Sequence, residues 1–130
     1  MLTDTFANLA LDSLFPAAAE LTVGLSTTRP ALDATVAGGA TNITEPTGGA
    51  YARVTITGAS FAAAASRIKA TSAAITFPAP SAAWGAVGWV VVWSGTDVLL
   101  FGQLNEVIDV IADGDQIRIP AGTLSVSFPA

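Results

Sequence analysis

Short runs in which apolar and polar residues alternate recur along most of the chain. Alternation of this kind, bounded by Gly, Pro, Asn and Asp, is typical of β-strands with one buried face. It predicts seven or eight strands, at residues 20–26, 51–56, 74–77, 85–93, 98–104, 107–111, 116–119 and 124–128. Closely spaced short strands are typical of sandwiches. We therefore predict a mainly β fold, a single antiparallel, jelly-roll-like β-sandwich domain that spans residues 1–130.

The strand at 85–93 is apolar on both faces, which predicts a central position in its sheet. The tetrapeptide Ser94-Gly95-Thr96-Asp97 predicts a tight turn, after which the strand at 98–104 returns as the second arm of a hairpin.

One segment near the N-terminus has helical rather than strand spacing. We place a helix at residues 4–15, where Thr3 or Asp4 can cap the first turn and Pro16 ends it. Its apolar stripe consists of Phe6, Leu9, Ala10 and Leu14. A short helix with a narrow stripe usually packs on its own domain, and docking on a neighbouring subunit is the alternative.

Two tracts lack periodicity. Residues 27–50 are interrupted by Pro and Gly, which predicts a long irregular loop before the central strands. Long loops in small domains usually serve binding or assembly. The Ala-rich residues 58–74 predict a loop with at most one helical turn.

The long loop ends in a stretch with well-defined turn chemistry, residues 44–56. Pro46 favours an extended Glu45, and two glycines allow unusual backbone angles before the strand begins at Tyr51. Glu45 and Arg53 can pair at the base of the loop, and Tyr51 would cover the start of the strand. The residues that we predict as a structural motif or assembly contact are Thr44, Glu45, Pro46, Gly48, Gly49, Tyr51, Arg53 and Trp84.

The chain has few charged residues with which to cover its surface. Charged residues make up 12% of the chain, against about 25% in typical globular proteins. Hydrophobic residues make up 52%, and the mean hydropathy is +0.60. Either other subunits bury part of this surface, or Ser, Thr, Gly and Ala cover it. Burial in a homo-oligomer is the interpretation we favour.

Catalysis, cofactors and metals are not expected. The chain has no Cys and no His, so thiolate nucleophiles, Ser-His triads and the commonest metal ligands are excluded. Asp109, Asp113 and Asp115 surround Gly114 but do not follow the spacing of an EF-hand loop. We interpret Asp113-Gly114-Asp115 as a hairpin turn, with a weak calcium site as the alternative.

Membrane and nucleic-acid partners are also not expected. The most apolar run, residues 82–93, is shorter than the ~20 residues of a helical span. The net charge is −5, and the five basic residues are scattered rather than clustered into a patch that could neutralise phosphates.

Aromatic residues cluster in and around the central strand: Trp84 precedes it, Trp89 and Trp93 lie in it and Phe101 follows it. An exposed aromatic row could bind sugar. The stronger interpretation is a core role, because Trp in a strand that is apolar on both faces is usually buried.

The order of six stretches is distinctive: Leu-Thr-Val-Gly-Leu-Ser-Thr-Thr-Arg-Pro at 21–30, Thr-Glu-Pro-Thr-Gly-Gly-Ala-Tyr-Ala-Arg-Val at 44–54, Ala-Ile-Thr-Phe-Pro-Ala-Pro at 74–80, Trp-Gly-Ala-Val at 84–87, Gly-Asp-Gln-Ile at 114–117 and Pro-Ala-Gly-Thr-Leu-Ser-Val at 120–126. In this order and spacing the chain resembles a family of short virion proteins of tailed bacteriophages. The most specific part is Glu-Pro-Thr-Gly-Gly-Ala-Tyr-Ala-Arg at 45–53.

The resemblance implies a structural protein located in the virion. Together with the low charge, it favours a capsid decoration or cement protein that stabilises the head. Its partners would be the major capsid protein and further copies of the chain, for which closed symmetry such as a trimer would be natural. The alternative is a tail-fibre or tail-tip component, with tail proteins as partners, that contacts the host receptor. A free carbohydrate-binding module or an enzyme has little support.

Overall fold

The computed structural model describes residues 2–110 and 116–128. Along these residues the elements are α1 Asp4–Leu14, β1 Glu20–Ser26, β2 Ala31–Leu32, β3 Ala40–Thr41, β4 Val54–Thr57, a 3-10 turn Gly58–Ser60, β5 Ile68–Ala70, β6 Ile75–Thr76, β7 Gly85–Ser94, β8 Asp97–Val110, β9 Arg118–Ile119 and β10 Ser125–Ser127. The turn and the calcium alternative predicted at Asp113-Gly114-Asp115 lie outside the described residues.

The mainly β, antiparallel fold class with a short N-terminal helix is confirmed. The largest sheet has the strand order β4-β1-β7-β8, so β4 and β8 are its edges and the sheet is open, as in a sandwich, rather than closed into a barrel. The described parts of the chain also form three two-stranded sheets, which pair β10 with β5, β2 with β3 and β6 with β9. Within the described residues, no helix is both long and apolar enough to cross a membrane.

The chain forms two compact units. The first contains Met1–Glu20, Ile56–Ile75 and Arg118–Ala130, and the second contains Leu21–Thr55 and Thr76–Ile117. The assignment of residues 1–130 to a single domain stays a prediction.

The second unit is built on β7, whose predicted central position is confirmed. This strand pairs with β1 on one side and with β8 on the other. Val87, Val91 and Val92 are fully buried, and Val90 nearly so. The hairpin predicted at Ser94–Asp97 is also present, since Ser94 faces Asp97 across the turn.

Strand β8 joins the two strands predicted at 98–104 and 107–111, of which Ile111 lies outside the described residues. Its pairing with β7 is interrupted, because Val87 pairs with Ile108 whereas Trp89 pairs with Gln103. Residues 104–107 therefore face Gly88 alone. This bulge explains the prediction of two strands, since it breaks the alternation of the sequence at that point.

The tract 27–50 is irregular except for a small hairpin in which Ala31 faces Thr41 and Leu32 faces Ala40. The prediction of a loop at 58–74 is wrong at β5, which pairs with β10. The sequence does not indicate this strand, because its charged residue is buried and its apolar residue is exposed: Lys69 is 4% exposed whereas Ile68 is 46% exposed.

In the first unit, α1 packs through a different face from the one predicted. Ala7 and Leu11 are fully buried, whereas Phe6 and Leu9 of the predicted stripe are 62% and 58% exposed. The helix begins after Thr3, whose hydroxyl accepts from the Phe6 amide at 3.5 Å. At its other end, the Phe15 ring contacts the Phe61 ring with a centroid distance of 4.4 Å.

Polar contacts explain this choice of face. Asn8 Oδ1 accepts from the Arg67 amide at 2.9 Å, and Asp12 Oδ1 accepts from the Ala64 amide at 2.9 Å and from Lys69 Nζ at 2.7 Å. Arg67 and Lys69 are buried, and buried cations require such partners. These bonds fix the side of α1 that carries Asn8 and Asp12 against residues 64–69.

Candidate functional site

The predicted motif lies beside the edge of β1 that the short strand β4 leaves uncovered. Strand β4 begins at Val54, three residues later than predicted. Along the part of β1 that β4 does not reach, the Tyr51 hydroxyl accepts a hydrogen bond from the Leu25 amide at 2.9 Å. Two residues further on, the Thr27 amide donates to the Thr44 carbonyl at 2.9 Å. The motif therefore supplies acceptors that a longer neighbouring strand would otherwise provide.

Glu45 is at the centre of the motif. Its Oε1 accepts from the Tyr51 hydroxyl at 2.7 Å and from Arg53 Nε at 2.9 Å, and its Oε2 accepts from Arg53 Nη2 at 2.8 Å. The predicted pairing of Glu45 with Arg53 is thus present, in the bidentate geometry that gives strong charge-assisted bonds.

The ionisation of these groups follows from their surroundings. Burial raises the pKa of Glu45, but the hydrogen bonds from Arg53 and Tyr51 outweigh it, so that the net pKa is below the usual value. Burial is also the main cause that raises the pKa of Tyr51 above its usual range. Glu45 therefore stays ionised and the Tyr51 hydroxyl stays protonated near neutral pH.

The Arg53 guanidinium also stacks on an aromatic ring. Its Cζ lies 3.5 Å from the centroid of the Trp93 ring, which is within the range of a cation–π interaction. Trp93 is 5% exposed. The motif is thereby connected to the central strand β7.

The turn before Tyr51 is fixed by Trp84. Its Nε1 donates to the Gly49 carbonyl at 2.8 Å, and its ring meets the Tyr51 ring edge-on at 5.3 Å. Gly48, Gly49 and Ala50 all have positive φ, of 72°, 57° and 63°. Two of these three positions are glycine, which adopts such angles without strain.

Thr44 and Pro46 complete the predicted set. The Thr44 amide donates to Ser26 Oγ at 3.0 Å, and its Oγ1 accepts from the Thr28 hydroxyl at 2.9 Å. Pro46 is buried. The structure therefore brings all eight predicted residues into the second unit, and it adds three that sequence reasoning missed: Gly24, Ser26 and Trp93.

The central polar side chains of the motif are hydrogen-bonded within the second unit. The polar side chains of Glu45, Tyr51, Arg53 and Trp84 each have a partner within the same unit. Among the residues that the structure describes, no three acidic side chains lie together where they could hold a metal ion. The geometry favours a structural role for the motif, and its role as an assembly contact stays a prediction.

The Glu45→Gln variant is expected to be less stable than the wild type at pH 7, and this difference should diminish as the pH falls. The folded-state pKa of Glu45 is below its unfolded value of about 4.5. Its ionisation therefore contributes stability above pH 4.5, and that contribution is lost as the pH falls through the folded-state pKa. Urea denaturation of both proteins from pH 7 to pH 3 measures the difference. An unchanged difference over this range would contradict the assignment.

A second feature of the long loop is a shallow cleft lined by Arg29, Pro30, Ala31, Leu32, Asn42 and Phe101. Arg29 Cζ lies 5.8 Å from the centroid of the Trp89 ring, which is half-buried. Arg53 is neutralised by Glu45, whereas Arg29 has no ion pair with any carboxylate in the described part of the chain. The core role predicted for the tryptophans holds for Trp84 and Trp93 but only partly for Trp89.

Comparison with known proteins identifies a family over almost the full length. The model of the family described as podophage GP4 fiber I protein gp80 matches residues 1–127. No curated protein and no solved structure matches the chain. The resemblance to virion proteins of tailed bacteriophages is thereby confirmed, and the chain belongs to the podophage GP4 fiber I protein (Gp80) family, a family of bacteriophage structural proteins.

Proposed function

We propose that this protein is a structural component of a tail fibre. The observation that supports this proposal most directly is the family match over residues 1–127, because the description of that family names a fibre protein. The capsid-decoration interpretation shares the virion location, but the family description favours the tail-fibre alternative. The motif around Glu45 supports a structural role, because its polar groups bond to one another.

We also propose that the partners are tail proteins and further copies of this chain, with no nucleic acid and no membrane. Low charge supports the assembly, as do large apolar side chains at the surface such as Leu32 and Val107, which are 81% and 62% exposed. A trimer is the closed symmetry we expect for such a fibre protein.

Cryo-electron microscopy of the intact virion tests the location, and quantitative mass spectrometry tests the copy number. The proposal predicts density for this chain on the tail and a number of copies far below that of the major capsid protein. Density distributed over the head lattice, with hundreds of copies in each particle, would instead establish the decoration role.

The cleft beside Arg29 is the surface we assign to contact with the host receptor. The Arg29 guanidinium, which forms no ion pair with a described carboxylate, lies next to exposed Leu32 and half-buried Phe101. This setting suits a sugar ring that carries a carboxylate or a phosphate. A saccharide of this kind on the host surface is therefore the ligand class that we propose.

The Arg29→Gln variant is expected to bind host cells about tenfold more weakly than the wild type. Loss of one charge-assisted hydrogen bond corresponds to a change of about this size. Binding of purified protein to intact host cells provides the measurement. Arg118→Gln is the matched control, since Arg118 is also exposed and forms no ion pair with a described carboxylate. Equal losses in both variants would indicate a general charge effect and contradict the proposed contact.

A further inference from the structure

Asn42 lies at the base of the small hairpin β2–β3, directly after the facing pair Ala31 and Thr41. Its Nδ2 donates to the Arg29 carbonyl at 2.8 Å. Its own carbonyl lies 2.7 Å from the Thr28 hydroxyl. Asn42 also lines the cleft that contains Arg29. It therefore joins the two ends of the hairpin at the residue that supplies the positive charge of the cleft.

The backbone of Asn42 has a conformation that few residues adopt. Its φ is 59°, in the left-handed region. Asparagine enters this region more readily than other residues with a side chain. Such conformations persist where the surrounding structure holds them. Asparagine meets two requirements at this position, a left-handed backbone and a side-chain donor for the Arg29 carbonyl.

Arg29 is restrained from three directions. Pro30 follows it and restricts its backbone to extended conformations. The Asn42 amide holds its carbonyl, and the Trp89 ring lies 5.8 Å from its Cζ. An arginine side chain loses much rotamer freedom when it binds a ligand, and this loss weakens binding. A side chain that is already ordered in the free protein loses less.

We propose that Asn42 is a positioning residue for the ligand contact of Arg29. It fixes the backbone from which the Arg29 side chain extends, so that the guanidinium stays beside Trp89 in the cleft. This inference rests on the receptor contact of the proposed function and states how the cleft keeps its cation in place. Because Asn42 acts through Arg29, its effect on binding should disappear when the Arg29 guanidinium is removed.

Nuclear magnetic resonance tests the positioning directly and without a ligand. Relaxation of the side-chain Nε should show restricted motion for Arg29 in the wild type and freer motion in the Asn42→Gly variant. Glycine keeps the left-handed angle without strain, so this variant removes only the side chain. Arg118 is the internal reference, because it is also exposed. Equal motion of Arg29 in the two proteins would overturn the proposal.

Binding to intact host cells tests the consequence. The Asn42→Gly variant should bind about threefold more weakly than the wild type, which is less than the loss in Arg29→Gln because the guanidinium is still present. The double variant should bind no more weakly than Arg29→Gln alone. Urea denaturation and circular dichroism establish that each variant is folded. Losses that multiply in the double variant would show that Asn42 does not act through Arg29, and would overturn the inference.

Thr35→Ala is the matched control, because it removes one hydrogen bond from the same hairpin at the end away from Arg29. The Thr35 hydroxyl donates to Asp33 Oδ1 at 2.6 Å. This variant should bind host cells as the wild type does. Weakening equal to that of Asn42→Gly would mean that any loosening of the hairpin reduces binding, and would reject a specific role of Asn42.

The variants separate this inference from the proposed function. Wild-type binding by Arg29→Gln would reject the receptor contact, and with it any role of Asn42 in binding. Weak binding by Arg29→Gln together with wild-type binding by Asn42→Gly would keep the contact and reject the positioning role alone.

Discussion

The Trp84→Ala variant is expected to lose about 3–5 kcal/mol of unfolding free energy, the range found when large aromatic residues are removed from protein cores. Trp84 is 5% exposed, and its Nε1 donates to the Gly49 carbonyl at 2.8 Å. Its ring also supports Tyr51, whose hydroxyl bonds to the Leu25 amide. The substitution therefore opens a cavity and also releases the turn that precedes Tyr51. Urea denaturation at pH 7 measures the loss.

Trp89→Ala serves as the control for this experiment. Trp89 is half-buried, and its ring lies below the exposed Arg29, so its removal should cost clearly less than that of Trp84. Similar losses in the two variants would show that the stability of this unit does not depend on the fixed turn.

The parts of the fold that the sequence predicts correctly are those with local signals. Strand β1 alternates cleanly, and this alternation predicts its observed bounds, 20–26. Strand β7 is apolar on both faces, and both faces are buried, Val91 on one and Val90 and Val92 on the other. The turn between Ser94 and Asp97 follows from Gly95, which adopts a φ of 64°. In each case the information lies within a few consecutive residues.

The sequence predicts the candidate site only in part, because the contacts of the site join distant segments. Glu45, Tyr51 and Arg53 lie within nine residues of one another, and their pairing could be anticipated from charge and proximity. The contribution of Trp93 could not be anticipated in this way, because it depends on the placement of β7 beside β1. The backbone conformation of Ala50 could not be anticipated either, because its φ of 63° is an angle that a sequence pattern would assign to glycine.

The sequence predicts the wrong packing face of α1 because the helix carries two apolar stripes. The stripe with Phe6 and Leu9 contains larger side chains, so spacing and hydrophobicity favour it. The buried stripe, Ala7 and Leu11, is selected instead by hydrogen bonds of Asp12 to a segment more than 50 residues away. Local periodicity contains no information about such bonds.

The Gly24→Ala variant should lose about 3 kcal/mol of unfolding free energy, although it adds only one methyl group. A Cβ at this position would lie 2.7 Å from Trp93 Cζ3 and 2.8 Å from both Glu45 Oε1 and Tyr51 Oη. None of these atoms can move away freely. The Tyr51 hydroxyl is held by two hydrogen bonds, Glu45 by Arg53, and Trp93 by burial in the core.

Gly102→Ala is the matched control for this substitution, because a Cβ there would meet no atom within 4 Å. Gly102 lies in strand β8, where alanine should be neutral or stabilising by about 0.5–1 kcal/mol. Urea denaturation of both variants at pH 7 gives the comparison. Equal losses would mean that any glycine in this sheet is costly to replace, and that contact with the motif is not the cause.

A double-mutant cycle identifies the contact that carries the cost of Gly24→Ala. Tyr51→Phe removes the hydroxyl that the new methyl group would strike, and it also leaves the Leu25 amide without its acceptor. Combined with Gly24→Ala, it should therefore cost clearly less than the sum of the two single variants, because both changes act on the same space. Additive losses would instead place the strain at Trp93, whose ring cannot withdraw from β1 without disturbing the stacked Arg53.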